Sequence, residues 1–157
     1  MPENMTAEQT NQKRSIGVHG EFRFKADAKG RVSLPASFRK VLPEDLVVTL
    51  SPAKECLYVY VPEDFEAWVD GVFVKKFGGY DDTDPNQAAV YRALNSRARD
   101  VQIDSAGRIM LPPEQRGETG IEKDVVIVGN GGRVEVWDAE RYDAQNADAL
   151  VAAFFGK

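Results

Sequence analysis

Six residues recur at one spacing in two places, and the set includes an arginine directly after a glycine. The first set is Asp27, Gly30, Arg31, Leu34, Pro35 and Arg39; the second is Asp104, Gly107, Arg108, Leu111, Pro112 and Arg116, shifted throughout by 77 positions (104 less 27). Arginine donates hydrogen bonds in a planar fork that matches phosphate oxygens or the O6/N7 edge of guanine. A guanidinium carried beside a glycine-opened turn projects away from the sheet that bears it. The chemistry open to Arg31 and Arg108 is recognition of such groups rather than bond making. Lys29 adds an ammonium to the first turn, where the second has Ala106. Asp27 and Asp104 suit capping of the turn or orientation of the arginine. Arg39 and Arg116 have two readings, as further basic contacts or as partners of a nearby carboxylate. Gly30, Leu34 and Pro35, with Gly107, Leu111 and Pro112, read as structure: positive φ, core and helix start.

The rest of the chain offers little for catalysis. There is one histidine, His19, and one cysteine, Cys56, in different contexts. That excludes a Cys/His zinc site built within one chain. A Ser-His-Asp set has only His19 to draw on, beside a polar leading segment. No glycine-rich loop carries the lysine of a phosphate-binding P-loop. Acids are plentiful, but no pairing among them stands out. The reading is a non-enzyme with no cofactor, metal or small-molecule substrate. Cys56 sits before the apolar run Leu57 to Val61, so a buried, inert thiol is expected.

Charge distribution says more than net charge. The 157 residues carry −5 overall. Residues 11–40 hold eight bases (Lys13, Arg14, Arg23, Lys25, Lys29, Arg31, Arg39, Lys40) against Glu21 and Asp27, a balance of +6, which leaves −11 for the remainder. The first motif therefore lies in a basic island on an acidic protein. Such a face can bind phosphate while acid elsewhere limits non-specific adhesion, or it can be a solvated charge run.

The elements that must position the motif follow from periodicity. Residues 1–16 are polar and read as a loosely held arm. Phe22 and Phe24 alternate with Arg23 and Lys25, as in a half-buried strand. Asp27 to Gly30 turns, Arg31 to Leu34 is a short strand, and Phe38, Val41 and Leu42 give a short helix ended by Pro43. Leu46 to Leu50 and Cys56 to Val61 form a hairpin. The second copy repeats the order from Val101 and Ile103. Here Pro112 to Arg116 is one helical turn stopped by Gly117, and the hairpin turns at Gly129 to Gly132. The alignment slips by one residue between motif and hairpin. Phe65, Trp68, Val69 and Val72 make one apolar helix face; 77–86 is a loop; Ala88 to Ala98 is a helix. The apolar C-terminal stretch from Ala149 to Phe155 must pack on this chain or on a neighbour. No apolar run approaches the ~20 residues of a membrane helix. The start does not look like a secretory signal, and the cytoplasm is the simplest location.

Together the strand, the Asp-x-x-Gly-Arg turn, the Leu-Pro step, the short helix and the hairpin resemble the AbrB-type swapped-hairpin DNA-binding domain. Two tandem copies, with helices containing Trp68 and Arg92/Leu94 between them, resemble the MraZ family of bacterial transcriptional regulators. The stretches His19 to Phe22 and Ala26 to Pro35 are close to the family's first signature, and Ala98 to Ile109 is close to its second. The resemblance covers residues 17–145. It implies a β-rich α+β fold in which two AbrB-like units, 17–70 and 98–145, form a pseudo-symmetric barrel. Residues 71–97 link them and 146–157 form a C-terminal helix. It also implies a ring-like homo-oligomer at the nucleoid that binds short G-rich repeats in double-stranded DNA upstream of the division and cell-wall genes, usually repressing them. Arg31 and Arg108 fall on the family's DNA-facing arginines, with Lys29, Asp27, Asp104, Arg39 and Arg116 around them. A second reading is an interaction module whose main partner is another protein, as in antitoxins of the same broad class. The acidic remainder and apolar C-terminus suit that reading.

Overall fold

The computed structural model describes residues 16–156. The arm read over residues 1–16 lies outside it except for Ile16, which packs against the core. In chain order the elements are β1 (Val18–Lys25), β2 (Arg31–Ser33), α1 (Ala36–Arg39), β3 (Asp45–Leu50), β4 (Leu57–Tyr60), α2 (Pro62–Phe77), α3 (Pro85–Ser96), β5 (Arg99–Gln102), β6 (Arg108–Met110), α4 (Pro113–Thr119), β7 (Asp124–Gly131), β8 (Arg133–Asp138), α5 (Ala139–Ala144) and α6 (Ala147–Phe155). This is an α+β arrangement with antiparallel pairing throughout.

The strands of the two halves interleave. One sheet runs in the order β1-β7-β8-β4-β3-β5. The two hairpins occupy its centre, joined by β4 and β8. β1 pairs with β7 of the other half, and β5 pairs with β3. β2 and β6 bond each other in a separate two-stranded ribbon. The barrel expected from sequence is therefore not closed by hydrogen bonds: β1 and β5 end the sheet, and the ribbon strands pair with each other rather than with those ends.

Val32 pairs with Ile109, its own counterpart in the repeat, so a local pseudo-two-fold axis passes through the ribbon. About that axis the pair Lys25–Asp124 matches Gln102–Asp45. The offset from β1 to β5 is 77 (102 less 25), but from β3 to β7 it is 79 (124 less 45). The slip is thus two residues, not one. It falls where α1, of four residues, is matched by α4, of seven. The second hairpin is tighter by the same amount: Val48 faces Val59 and Ile127 faces Val136, which restores 77 (136 less 59).

Burial on both faces explains why the central strands read as continuous apolar runs. Val48, Leu57, Val59, Ile127, Val134 and Val136 face the ribbon and join Val32, Leu34, Ile109 and Leu111 in one core. The alternate residues Val47 and Tyr60 face α2, meeting Phe65, Val69 and Phe73. Val126 and Trp137 enclose Cys56, which is 1% exposed; burial pushes its thiol well above the usual range, as expected of an inert group.

Helix ends follow local chemistry. α2 has Pro62 in its first turn, Glu63 and Asp64 near its positive end, and Lys75 and Lys76 near its negative end. The loop expected over 77–86 is shorter than composition suggests. Asp84 caps α3 by accepting from the Asn86 N–H at 2.9 Å, and the helix starts at Pro85. α1 stops at Arg39, so Phe38 and Leu42 are buried while Val41 is 47% exposed. α4 does not stop at Gly117. It continues to Thr119, and Gly120, at φ 75°, supplies the left-handed cap. α6 is a helix, but Leu150, Val151, Phe154 and Phe155 are 56–82% exposed, so this stretch does not pack on its own chain. Among the described residues no helix is long and apolar enough to cross a membrane.

Candidate nucleic-acid interface

Each motif turn is built by its aspartate. The Asp27 carbonyl accepts from the Gly30 N–H at 2.9 Å, while Oδ1 accepts from the Lys29 and Arg31 N–H groups, each at 2.9 Å. The second copy repeats this: Asp104 accepts from Gly107 through its carbonyl and from Ala106 and Arg108 through Oδ1, all at 2.9 Å. A short acceptor side chain reaches its own backbone two residues on, which is why aspartate suits this position. The other carboxylate oxygen holds the arginine. Arg31 Nε donates to Asp27 Oδ2 at 2.7 Å, and Arg108 Nε donates to Asp104 Oδ2 at 3.2 Å. Both readings offered for these aspartates, turn cap and arginine support, are thus realised in one group.

The two arginines lie on one surface. In the ribbon Arg31 faces Met110 and Ser33 faces Arg108, with Val32 and Ile109 between them. Val32 and Ile109 are buried at 0% and 1%. Side chains alternate across a strand, so Arg31, Ser33, Arg108 and Met110 share the outer face, with the arginines on one diagonal. Like charges so placed repel. Asp27 offsets this, because its Oδ2 also lies 3.7 Å from Arg108 Nη1. The hydrogen bonds to the aspartates use Nε, and among the described residues the Nη groups make no hydrogen bond, with only Arg108 Nη1 turned toward Asp27. The two arginine side chains are about one-third exposed, at 31% and 33%. They are held by the fold and open to solvent, which suits donation to phosphate or to a base edge.

The carboxylates are held in their charged form. Asp27 is lowered to about 2, first by the hydrogen bond from the Arg31 N–H and further by the Arg31 guanidinium. Asp104 is also lowered, first by the Arg108 N–H. Each arginine therefore keeps its counter-charge through the physiological range.

Among the described residues Arg39 and Arg116 are anchored on backbone carbonyls rather than on carboxylates. Arg39 Nε donates to the Leu34 carbonyl at 3.2 Å, and Arg116 Nε to the Leu111 carbonyl at 3.2 Å. Each guanidinium then covers a glycine of the other copy. A Cβ built on Gly30 would lie 2.5 Å from Arg116 Cζ, and one on Gly107 would lie 2.5 Å from Arg39 Nη1. Gly30 and Gly107 also have φ of +87° and +79°. Two of the six motif residues are therefore reciprocal partners between copies. Backbone bonds link the same turns: the Leu34 N–H donates to Gly107 O and the Leu111 N–H to Gly30 O, each at 2.9 Å.

The basic island is smaller in space than in sequence. Arg23 is paired with Glu21 at 2.9 Å and Asp143 at 2.8 Å, and Lys25 with Asp124 at 2.6 Å. Lys29 is exposed at the tip of the first turn. Sequence reasoning passed over Ser33 and Met110. Their signal was strand alternation, which puts every second residue from Arg31 and Arg108 on the same face.

Comparison with known proteins agrees with this architecture. The MraZ family model matches residues 18–73 and 94–155, one segment for each motif copy. The chain belongs to the MraZ family. A transcriptional regulator MraZ from Acetivibrio thermocellus is 35% identical over 135 residues, covering 86% of this chain and 90% of that protein. One from Natranaerobius thermophilus is 37% identical over 124 residues, covering 79% and 82%. A third, from Nitrosospira multiformis, is 35% identical over 128 residues, covering 79% and 83%. The MraZ family is one of transcriptional regulators, not of enzymes.

Proposed function

We propose that the chain is a sequence-specific DNA-binding regulator, a repressor, that acts as a ring-like homo-oligomer at the nucleoid. Its sites would be short G-rich direct repeats upstream of its own operon, in the division and cell-wall gene cluster, as the family resemblance implies. One observation carries the reading: the ribbon holds Arg31 and Arg108 side by side on one outer face, each braced by its own aspartate. A two-stranded antiparallel ribbon fits the DNA major groove, and arginine there donates to guanine O6 and N7. Lys29 adds a phosphate contact on one side only. Arg39 and Arg116 contribute through the turns they cover. The repeat units are 17–70 and 98–145, joined by 71–97.

The few charges of one ribbon make binding weak and salt-dependent. Several copies on repeated sites raise it through effective concentration. The exposed apolar face of α6 supports assembly, since Phe154 and Phe155 are 82% and 80% exposed on this chain.

A mobility shift over a salt series tests the site, using DNA from upstream of the protein's own start codon. Arg31→Ala and Arg108→Ala are expected to weaken binding about tenfold or more each and to lower the salt slope by about one. The larger loss is expected for Arg31→Ala, beside Lys29. Unchanged binding by folded variants refutes the assignment.

A further inference from the structure

The outer face of the ribbon is symmetric in its arginines and asymmetric in everything else. The axis through Val32 and Ile109 exchanges Arg31 with Arg108 and Ser33 with Met110. Ser33 carries a hydroxyl that both donates and accepts. Met110 carries an apolar thioether and is 43% exposed, on a face where its neighbours are charged or polar. Inside the ribbon the corresponding positions are both aliphatic, Val32 and Ile109, so the core does not require the outer residues to differ.

We infer that Ser33 and Met110 determine specificity, reading unlike base steps in the two halves of one major-groove site. The inference rests on the DNA-binding reading above and extends it. A ribbon in the major groove turns its outer side chains toward the base edges. Arg31 and Arg108 exchange across the axis and, although braced by their aspartates at 2.7 and 3.2 Å, offer the same donor chemistry on either side of it. Ser33 can bond any base edge. Met110 cannot hydrogen-bond usefully and favours an apolar patch, and the only one in the major groove is the C5-methyl of thymine. A wholly symmetric ribbon would accept a site in either direction. With serine on one half and methionine on the other, the ribbon binds in one direction and its preferred site is not self-complementary.

The inference is tested by selection from a pool of randomised DNA duplexes, using the full-length assembled protein. Wild type is expected to enrich a motif that is not self-complementary. Met110→Ser should leave the arginine-read positions unchanged and reduce discrimination at one step by about fivefold to tenfold, the scale of a single base-pair mismatch. Met110→Leu, which stays apolar, should keep the wild-type preference. Ser33→Met should shift the preferred base in the opposite half. The same motif with the same discrimination in wild type, Met110→Ser and Ser33→Met overturns the inference while leaving DNA binding in place. A self-complementary wild-type motif also overturns it. Failure of wild type to enrich any motif overturns the sequence-specific reading on which it rests.

Discussion

Replacing Gly30 by alanine tests whether the two copies complete each other. Two separable costs are expected. The first is backbone strain: at φ +87° an L-residue enters the left-handed region, at about 1 kcal/mol. The second is displacement of Arg116, because the new Cβ falls 2.5 Å from both its Nε and its Cζ. A flexible side chain can move aside, so the cost is what the movement forfeits: the bond from Arg116 Nε to the Leu111 carbonyl, about 1 kcal/mol. Gly30→Ala should therefore destabilise by about 2 kcal/mol.

Gly120 is the internal control. It has φ +75°, yet a Cβ there meets nothing within 4 Å. Gly120→Ala should show the strain alone, about 1 kcal/mol. Arg116→Ala should show the lost bond alone, also about 1 kcal/mol. The double variant Gly30→Ala/Arg116→Ala should then cost about 2 kcal/mol rather than the 3 expected by addition, a coupling of about 1 kcal/mol. Urea unfolding at one fixed protein concentration measures all four, and an unchanged m-value confirms that only stability moved. If Gly30→Ala costs no more than Gly120→Ala, or if the double variant is additive, then Arg116 does not seat on Gly30 and the reciprocal arrangement is wrong.

Three other perturbations have defined outcomes. Asp27 is held at about 2 in the folded chain against about 3.9 unfolded, so its contribution to stability is full above pH 4 and disappears as pH falls through 2. Asp27→Asn should flatten that part of the acid-unfolding curve, and a carboxyl titration by NMR that gives an ordinary aspartate value would contradict the geometry. Glu135, 7% exposed, accepts from Arg133 Nε at 3.0 Å, Asn130 Nδ2 at 2.9 Å and Trp137 Nε1 at 3.0 Å. Glu135→Ala leaves those donors without their acceptor and should cost about 3 kcal/mol in urea unfolding, with Glu135→Gln intermediate; a neutral alanine variant would mean the cluster is not as tight as these distances. For the proposed homo-oligomer, Phe154→Asp together with Phe155→Asp should leave the unfolding of the sheet unchanged and lower the mass by light scattering, and an unchanged mass would remove α6 from the proposed interface.

What the sequence made legible was local. Alternation at Phe22 and Phe24 and the β-rich runs at 46–50 and 57–61 gave strands, because period and residue shape are properties of a few adjacent residues. Partnership was not legible. Nothing in Val18 to Lys25 says that it pairs with Asp124 to Gly131 of the other half, since alternation names the buried face and not the neighbour. Gly117 misled for a related reason. A glycine in a short helix looks like a stop, yet an exposed one is tolerated at about 1 kcal/mol, and the stop belongs to Gly120, where the backbone turns left-handed. Glu135 looked like one more strand acid, and it is the donors converging from Asn130, Arg133 and Trp137, with the Cys56 thiol beside them, that explain its burial.

Arg39 and Arg116 show where motif reasoning within one copy reaches its limit. Read alone, Gly30 is a turn residue and Arg39 a basic contact or the partner of a nearby carboxylate, and each has a sufficient local explanation. In the fold the glycine of one copy exists under the arginine of the other, so neither residue can be explained inside its own thirteen-residue span. The same holds for the strands: β1 and β5 both find their partners across the halves. The repeat is therefore a single interlocked structure rather than two units side by side, and Arg31 and Arg108 lie on one surface because the halves share the ribbon that carries them. That sharing also sets the limit of the symmetry. The positions that lock the halves together repeat identically, as Gly30 with Gly107 and Arg39 with Arg116. The positions that face outward are free to differ, as Lys29 does from Ala106 and Ser33 from Met110. Differences are not confined to that surface, since buried Phe38 stands where the second copy has buried Gln115, but those on the outer face of the ribbon are the ones open to solvent.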